Sequence, residues 1–448
     1  MTRVSEITTL AGQVRGPVFQ PGQDGYAEEV AGFQTGVPSS PAVVVGATEA
    51  DDVAAAVRYA AAHGLPVVVQ STGHGLVTGA DGGVLVSTRR MTAVEIDPAS
   101  STARAEAGVH WGAVIAAAAE HGLAPLSGSA PDVGVVGYTL GGGFSLLGRK
   151  YGRAAEQVRA LDVVTADGEL RHVTAETEPD LFGALLGGRD NFGIVTALEF
   201  GLVPVTTLYG GGLYFGPDQL GDVLRGWRDW AATAPDEVTT SVAMVPMPDL
   251  PMVPEPLRGK HIAQIRVAYL GDAAAGERLV EPLRAIGPRL IDSLAEMPFT
   301  ESGSIASEPP HPHAYRGDNT TTGELTDPMI DTILELAGPD APVETVLLVD
   351  LLGGGYTRWN DAARFTVRAL SIVDDETADE VRAAHRKLFT ALRPWSTGKL
   401  LTFVYGEHDP HEQAPAVFGE TGLRELAGLK AKYDPANTFR LSHNILPR

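Results

Sequence analysis

Apolar and polar residues alternate with two different periods along the first half of this chain. Short β-branched runs at 43–45, 66–70, 84–87, 94–96 and 102–106 read as strands. Between them, Thr48-Glu49-Ala50-Asp51 reads as a capping box opening a helix to about His63, with Gly64 as its stop. An alanine-rich helix is expected over 110–121, ended by Gly122. Asp167-Gly168, between apolar runs at 161–165 and 169–174, is a hairpin signal. Pro179 suits the first turn of a short helix, and 194–200 reads as a further strand. Beyond Pro204 the texture changes. Amphipathic helices at 219–232, 273–286 and 377–392 alternate with strands at 262–269 and 345–351, and the proline-rich stretches 246–256 and 309–312 read as surface loops. The mixture predicts an α/β or α+β architecture.

Two glycine-rich segments interrupt this pattern. The first, Gln70-Ser71-Thr72-Gly73-His74-Gly75, delivers one imidazole from the end of a strand into a loop whose backbone can approach a ligand closely. The second runs Gly128-Ser129-Ala130-Pro131-Asp132-Val133-Gly134-Val135-Val136-Gly137-Tyr138-Thr139-Leu140-Gly141-Gly142-Gly143. A ligand carrying a diphosphate needs many backbone amides at short range, which such segments supply. Neither matches G-x-G-x-x-G, and the chain contains no G-x-x-x-x-G-K-[ST] and no G-x-S-x-G, so a nicotinamide Rossmann site, a P-loop and a serine hydrolase are not indicated.

In order along the chain, these loops are followed by Arg149-Lys150-Tyr151-Gly152, Val163-Val164-Thr165-Ala166-Asp167-Gly168, Pro179-Asp180-Leu181-Phe182, Gly187-Gly188-Arg189-Asp190-Asn191-Phe192-Gly193-Ile194-Val195-Thr196 and Tyr433-Asp434-Pro435-Ala436-Asn437-Thr438-Phe439-Arg440. The ordered set resembles the berberine-bridge-enzyme type of FAD-linked oxidase, within the vanillyl-alcohol-oxidase superfamily, over roughly residues 15–205 and 395–448. The resemblance implies an α+β, two-domain PCMH-type FAD-binding fold. Residues 1–205 and 396–448 would form the FAD-binding domain, and 206–395 an inserted substrate domain of antiparallel sheet and helices. It further implies FAD bonded covalently to His74. Contacts are expected from Ser71, Thr72, Gly73, Gly75, Ser129, Val133, Gly134, Gly137, Tyr138, Gly141, Gly142, Gly143, Asn191, Gly193, Val195 and Asn437.

Composition narrows the chemistry. With no cysteine, disulfides, thiolate nucleophiles, iron–sulfur clusters and thiolate zinc sites are excluded. The position at which some relatives attach FAD through a second, cysteinyl bond falls on Ala130, so any covalent link here is to histidine alone. A net charge of −22, from 34 basic and 56 acidic residues, opposes phosphate-backbone binding, so nucleic acid is not an expected partner. The first 16 residues mix Arg3, Glu6 and Arg15 with short apolar runs and lack a signal-peptide core. The most apolar stretch, 113–119, is too short to span a bilayer. A cytoplasmic protein without a membrane partner is the expectation.

The implied reaction removes a hydride from an alcohol or amine carbon of a small molecule, a sugar or a secondary metabolite, with molecular oxygen reoxidising the flavin to give hydrogen peroxide. Val133 occupies a position where a small aliphatic residue goes with oxygen access in relatives. The alternatives are a dehydrogenase of the same fold that uses another acceptor, and a flavin-binding protein without turnover. Proton removal from the substrate calls for a base near the flavin. Tyr138 is the first choice, since relatives place a flavin-facing residue there. The family's catalytic Tyr-Xaa-Asn is replaced by Phe403-Val404-Tyr405, which makes Tyr405 a substitute. Asp350, before Leu351-Leu352-Gly353-Gly354, is the third candidate. His311 with His313, and His408 with His411, lie in proline-containing loops without a convincing third ligand, so no metal is expected.

Overall fold

The computed structural model describes residues 2–353, 362–409 and 411–448. Gly354, next to the Asp350 motif, and Pro410, next to His408, lie outside them. Helices and sheets are mixed. In the smaller amino-terminal sheet the order is Val18–Phe19, Val43–Gly46, Val84–Ser87, Val67–Gln70, the last three mutually parallel. Helix Ala50–His63 packs its alanine and valine face on this sheet and ends at Gly64, whose φ of +64° is the left-handed cap that glycine permits. The expected capping box does not form. Glu49 is the N-cap, and buried Asp52 instead accepts from the Thr48 amide and hydroxyl and from the Arg15 and Gly16 amides. One carboxylate serving four donors can tie the amino-terminal segment to the helix start, which a capping glutamate on the surface could not.

A second sheet of five antiparallel strands follows, in the order Val94–Asp97, Thr102–Glu106, Ile194–Gly201, Val158–Val164, Leu170–Thr174. Its hairpin closes at Gly168 with φ +75°, where Asp167 Oδ1 accepts from the Thr165 hydroxyl and the Glu169 amide. Helix Trp111–Ala119 covers the sheet, and helix Ala414–Tyr433 returns to helix Pro179–Gly188 through Lys432 and Tyr433, which both bond Asp180.

Residues 207–398 build the largest sheet, of nine strands. Arg289–Asp292 and Ala295–Pro298 both pair with Thr207–Phe215 at one edge. The order then continues His261–Tyr269, Val238–Pro246, Val346–Leu351, Phe365–Ile372, Tyr315–Thr322, Ser396–Gly398. One face carries Leu213, Val242, Ile265, Val349 and Val367 into a core shared with helices Leu220–Ala231, Ala273–Arg284, Asp327–Ala337 and Ala378–Leu392. Because successive side chains alternate across a strand, the other face is made by the residues between them. There stand Gln264, Arg266, Ser241, Asp350 and Arg368, a set of polar groups that no buried strand face tolerates without partners.

Candidate functional site

Strand Val67–Gln70 ends directly in the loop Ser71-Thr72-Gly73-His74-Gly75. Gly73 adopts φ +73°, and a Cβ there would stand 2.7 Å from the Gly32 Cα, so the neighbouring segment 32–34 can lie against it only because both are glycine. That segment bonds the loop through the Phe33 amide to the Thr72 carbonyl at 2.8 Å and the Gln34 amide to the Gly73 carbonyl at 3.1 Å. It also places the Phe33 ring flat on the His74 imidazole. His74 Nδ1 meets Thr72 Oγ1 at 2.8 Å. Burial, with His110 nearby, pushes the imidazole down to about 4, so it is neutral with a lone pair free.

The second glycine segment folds against this loop. Gly134 sits over the Ser71 and Thr72 hydroxyls, and a helix over Val135–Leu140, hidden in the sequence by its glycines, follows it. Gly137 and Gly142 face open space, whereas Gly143, at φ +74°, closes on the Tyr138 ring. Arg189 reaches in from the other side. Its guanidinium lies 3.0 Å from where a Gly75 Cβ would be and donates to the Gly137 carbonyl at 3.4 Å, and its own backbone is held at φ +55°. A strained non-glycine residue aiming one cation into a glycine cradle suits an anionic ligand group. Nothing in the sequence singled Arg189 out from its motif.

The remaining cofactor candidates divide. Ser129 gives its hydroxyl to Glu308 at 2.5 Å, and Val133 is half-buried with its carbonyl accepting from the Trp111 amide. Asn191 is saturated inside the protein: its amide donates to the Gly188 and His443 carbonyls and its oxygen accepts from the Ile445 amide. It therefore positions the carboxyl-terminal segment. Gly193 is demanded by the Val164 carbonyl, 2.6 Å from a would-be Cβ, and Val195 is buried in the core. Asn437, at φ +52°, keeps a buried side-chain oxygen without a partner among the described residues, as do Asn444 and both ring nitrogens of His443. Buried polar atoms left unsatisfied beside a glycine cradle are what a cofactor with many hydrogen-bonding groups would meet. FAD is such a group, and the residues present fit it. Ser71, whose buried hydroxyl is likewise unpartnered, belongs to the same set.

Facing the cradle is the polar side of the large sheet. Asp350, 1% exposed, is paired through both oxygens with Arg368, at 2.7 and 3.0 Å. Burial raises the carboxyl above its ordinary value, and Arg368 and Arg266 offset only part of that. The Arg368 guanidinium lies 4.0 Å over the Phe403 ring, and its charge acts on the Tyr405 phenol. Tyr405 packs on Gly317 and meets Tyr315 edge-on at 5.3 Å, and the Tyr315 hydroxyl donates to the His74 carbonyl at 2.7 Å. His74, Tyr315, Tyr405, Arg368 and Asp350 thus form one connected run from loop to sheet. Tyr138 lies outside that run. Its ring stands edge-on to Trp111 at 5.4 Å and its hydroxyl points to the Leu126 carbonyl at 3.4 Å. Arg266, Arg368 and Tyr315 were not among the sequence candidates. The signal that could have found them is the polar residue at every second position of Gln264-Ile265-Arg266 and Thr366-Val367-Arg368.

His313 stacks beside Phe33 and Tyr315, and His408 bonds the Gly317 carbonyl and Arg316. No group of three or more histidines and carboxylates among the described residues is placed to hold a metal. No helix among them is long and apolar enough to cross a membrane.

Residues 41–174 match the FAD binding domain family and residues 405–446 the berberine and berberine-like family. The (R)-6-hydroxynicotine oxidase of Paenarthrobacter nicotinovorans is 31% identical over 303 residues, 66% of this chain and 64% of that protein, so the match spans just under two thirds of that relative's length. The structure of 6-hydroxy-D-nicotine oxidase from Arthrobacter nicotinovorans superposes with a TM-score of 0.83 at 27% identity, covering 97% of this chain and 98% of that one. Glucooligosaccharide oxidase from Acremonium strictum, whose FAD is 6-S-cysteinyl and 8α-N1-histidyl, shares the fold with a TM-score of 0.85 at 19% identity over 99% of each chain. With a match to the FAD binding domain family over 41–174, a berberine-like match over 405–446 and the fold of 6-hydroxy-D-nicotine oxidase along nearly its whole length, the chain is similar to berberine-bridge-enzyme-like FAD-linked oxidases.

Proposed function

We propose that the protein oxidises an alcohol or amine carbon of a small molecule, with FAD tethered covalently to His74 and oxygen as the final acceptor. The observation that carries this reading is the place of His74: its imidazole belongs to the glycine cradle while its carbonyl is bonded by Tyr315 from the polar sheet face. A cofactor attached there would lie between the two. When bound, FAD supplies the hydride acceptor and passes the electron pair to oxygen.

The protein's own residues do the rest. The neutral His74 imidazole is the form able to bond carbon, and Phe33 and Thr72 fix its plane. Gly137, Gly142 and Arg189 offer backbone and charge to the cofactor. Tyr405 is the better-placed group to accept the substrate proton. Burial pushes its phenol up to about 12, and the nearby Arg368 guanidinium is what favours its ionised form. Asp350 holds Arg368 in place rather than meeting the proton itself. Half-buried Val133 leaves oxygen a small aliphatic neighbour. A substrate in the class of hydroxynicotines or oligosaccharides is supported by the relatives' activities, and Ala130 makes the link to histidine alone.

The test is acid precipitation of the yellow holoprotein. Flavin fluorescence should stay with the pellet and, after digestion, with the peptide containing His74. Complete release to the supernatant would overturn the tether. Peroxide formed with stoichiometric bleaching by an alcohol or amine, in a screen of both classes, tests the reaction.

A further inference from the structure

Strand Tyr315–Thr322 separates two sites. Tyr315 and Gly317 point to the polar face that meets His74 and Tyr405, so Arg316 and Asp318 point the opposite way, toward helix Ala378–Leu392. Between strand and helix lies a groove of about 880 Å³, lined from the helix side by Arg382, His385, Arg386 and Phe389, with Arg393 one turn beyond. The spacing i, i+3, i+4, i+7, i+11 puts all five on one stripe of the helix.

The groove's charges are unevenly satisfied. Lys399 is taken by Asp318 at 2.6 Å, and Arg382 by Glu407 at 3.1 Å. Arg316 donates to the Glu407 carbonyl and lies 3.2 Å from His408 Nδ1, so it meets a carbonyl and an imidazole rather than a carboxylate. Its buried Nε has no partner among the described residues. Neither has Nδ1 of His385, a side chain only 2% exposed whose Nε2 bonds Ser371 at 3.1 Å. Burial does most to depress the Arg316 pKa, with Arg382 and Arg386 adding to it and Asp318 and Glu407 opposing it. Asp409 and Glu412 also line the groove, and both are exposed. Arg386 and Arg393, both exposed at the rim, are further cations of the groove without an ion pair among the described residues.

We infer that this groove is a second binding site, for a small molecule bearing an oxyanion, a phosphate or a carboxylate, held by the Arg316 guanidinium and by Arg386 and Arg393 at the rim. The arginines supply charge-assisted bonds to its oxygens. The site lies across the strand from Tyr405 and does not depend on the flavin chemistry.

Calorimetric titration of the FAD-loaded protein at constant ionic strength decides it, with inorganic phosphate in one arm, malonate in the second and sodium chloride as the control. Saturable binding of either anion at one site per chain is expected. The arm that binds identifies the source as phosphate or carboxylate. Arg316→Gln should weaken binding by about tenfold or more, the loss of a charged hydrogen-bond donor. The rim pair Arg386→Gln with Arg393→Gln, on the surface and harmless to folding, should weaken it severalfold. Absence of binding by both anions in the millimolar range, or binding untouched by both sets of substitutions, would overturn the assignment.

Discussion

The Phe33 ring lies parallel to the His74 imidazole, with centroids 3.9 Å apart and planes within 12°. Since Phe33 is held by backbone bonds to the loop that carries His74, the pair is a clamp that sets the direction of the imidazole. Stacked aromatic pairs contribute about 0.5–1.5 kcal/mol beyond burial. Phe33→Leu should therefore leave the fold intact and lower the fraction of flavin attached to the polypeptide. Acid-precipitated flavin per chain, compared with wild type, measures this. An unchanged fraction would mean that Thr72 alone orients the ring.

Tyr405→Phe should slow flavin reduction by about 10²–10⁴, the usual worth of general acid–base assistance. Tyr138→Phe, whose hydroxyl faces the Leu126 carbonyl, should reduce its flavin within severalfold of wild type. With an alcohol substrate the wild-type reduction rate should rise with pH, because the phenol, pushed up to about 12, must ionise to accept the proton. Stopped-flow reduction across the alkaline range checks both statements. A flat profile in wild type, or a large loss in Tyr138→Phe, would return the role to Tyr138.

Val133→Leu should slow reoxidation of the reduced flavin in air while leaving its anaerobic reduction unchanged. Val133 is half-buried at the start of the helix-bearing loop, and its carbonyl is already engaged by the Trp111 amide, so the larger side chain adds bulk without disturbing the backbone. Equal reoxidation rates in the two proteins would remove Val133 from the oxygen path.

Burial pushes His385 and His408 down to about 4. Above the unfolded value of about 6.5 both are neutral in either state and add no pH dependence. As pH falls from there toward 4, the unfolded chain takes up protons that the folded one refuses, so stability declines by at most about 1.4 kcal/mol per pH unit for each histidine. Below about 4 their contribution levels off. Urea midpoints of His385→Gln and His408→Gln should accordingly fall less steeply than those of wild type between pH 6.5 and 4. Parallel slopes would show that both imidazoles are protonated in the fold.

Much of the architecture was legible where one physical signal acted alone. The β-branched run before His74, the Gly64 stop and the Asp167-Gly168 hairpin all stand where their residues indicate. The signal failed where a strand serves two masters. Thr207–Phe215 contains three consecutive glycines, and Gly211 takes φ +137° to fit the Ser293 carbonyl, so its strand propensity is erased by packing. Tyr315–Thr322 reads as polar throughout because one side lines the substrate face and the other the arginine groove. Similarly, the sequence marks Asp350 as a candidate base at a strand end, without its ion pair. Its partner Arg368 comes from the next strand, a pairing that spacing in sequence does not express.

One consequence concerns the order of events during biogenesis. Asn191 is completed by Ile445, which lies 254 positions later, and buried Lys430 bonds the Asn191 carbonyl, Asp434 and the Phe439 carbonyl together. The half of the molecule that carries the glycine cradle therefore cannot be finished until residue 445 has left the ribosome. The nine-stranded sheet, encoded in between, has time to form first. Flavin loading thereby waits on the segment 430–445, and a chain cut before Lys430 would keep its sheet yet emerge colourless.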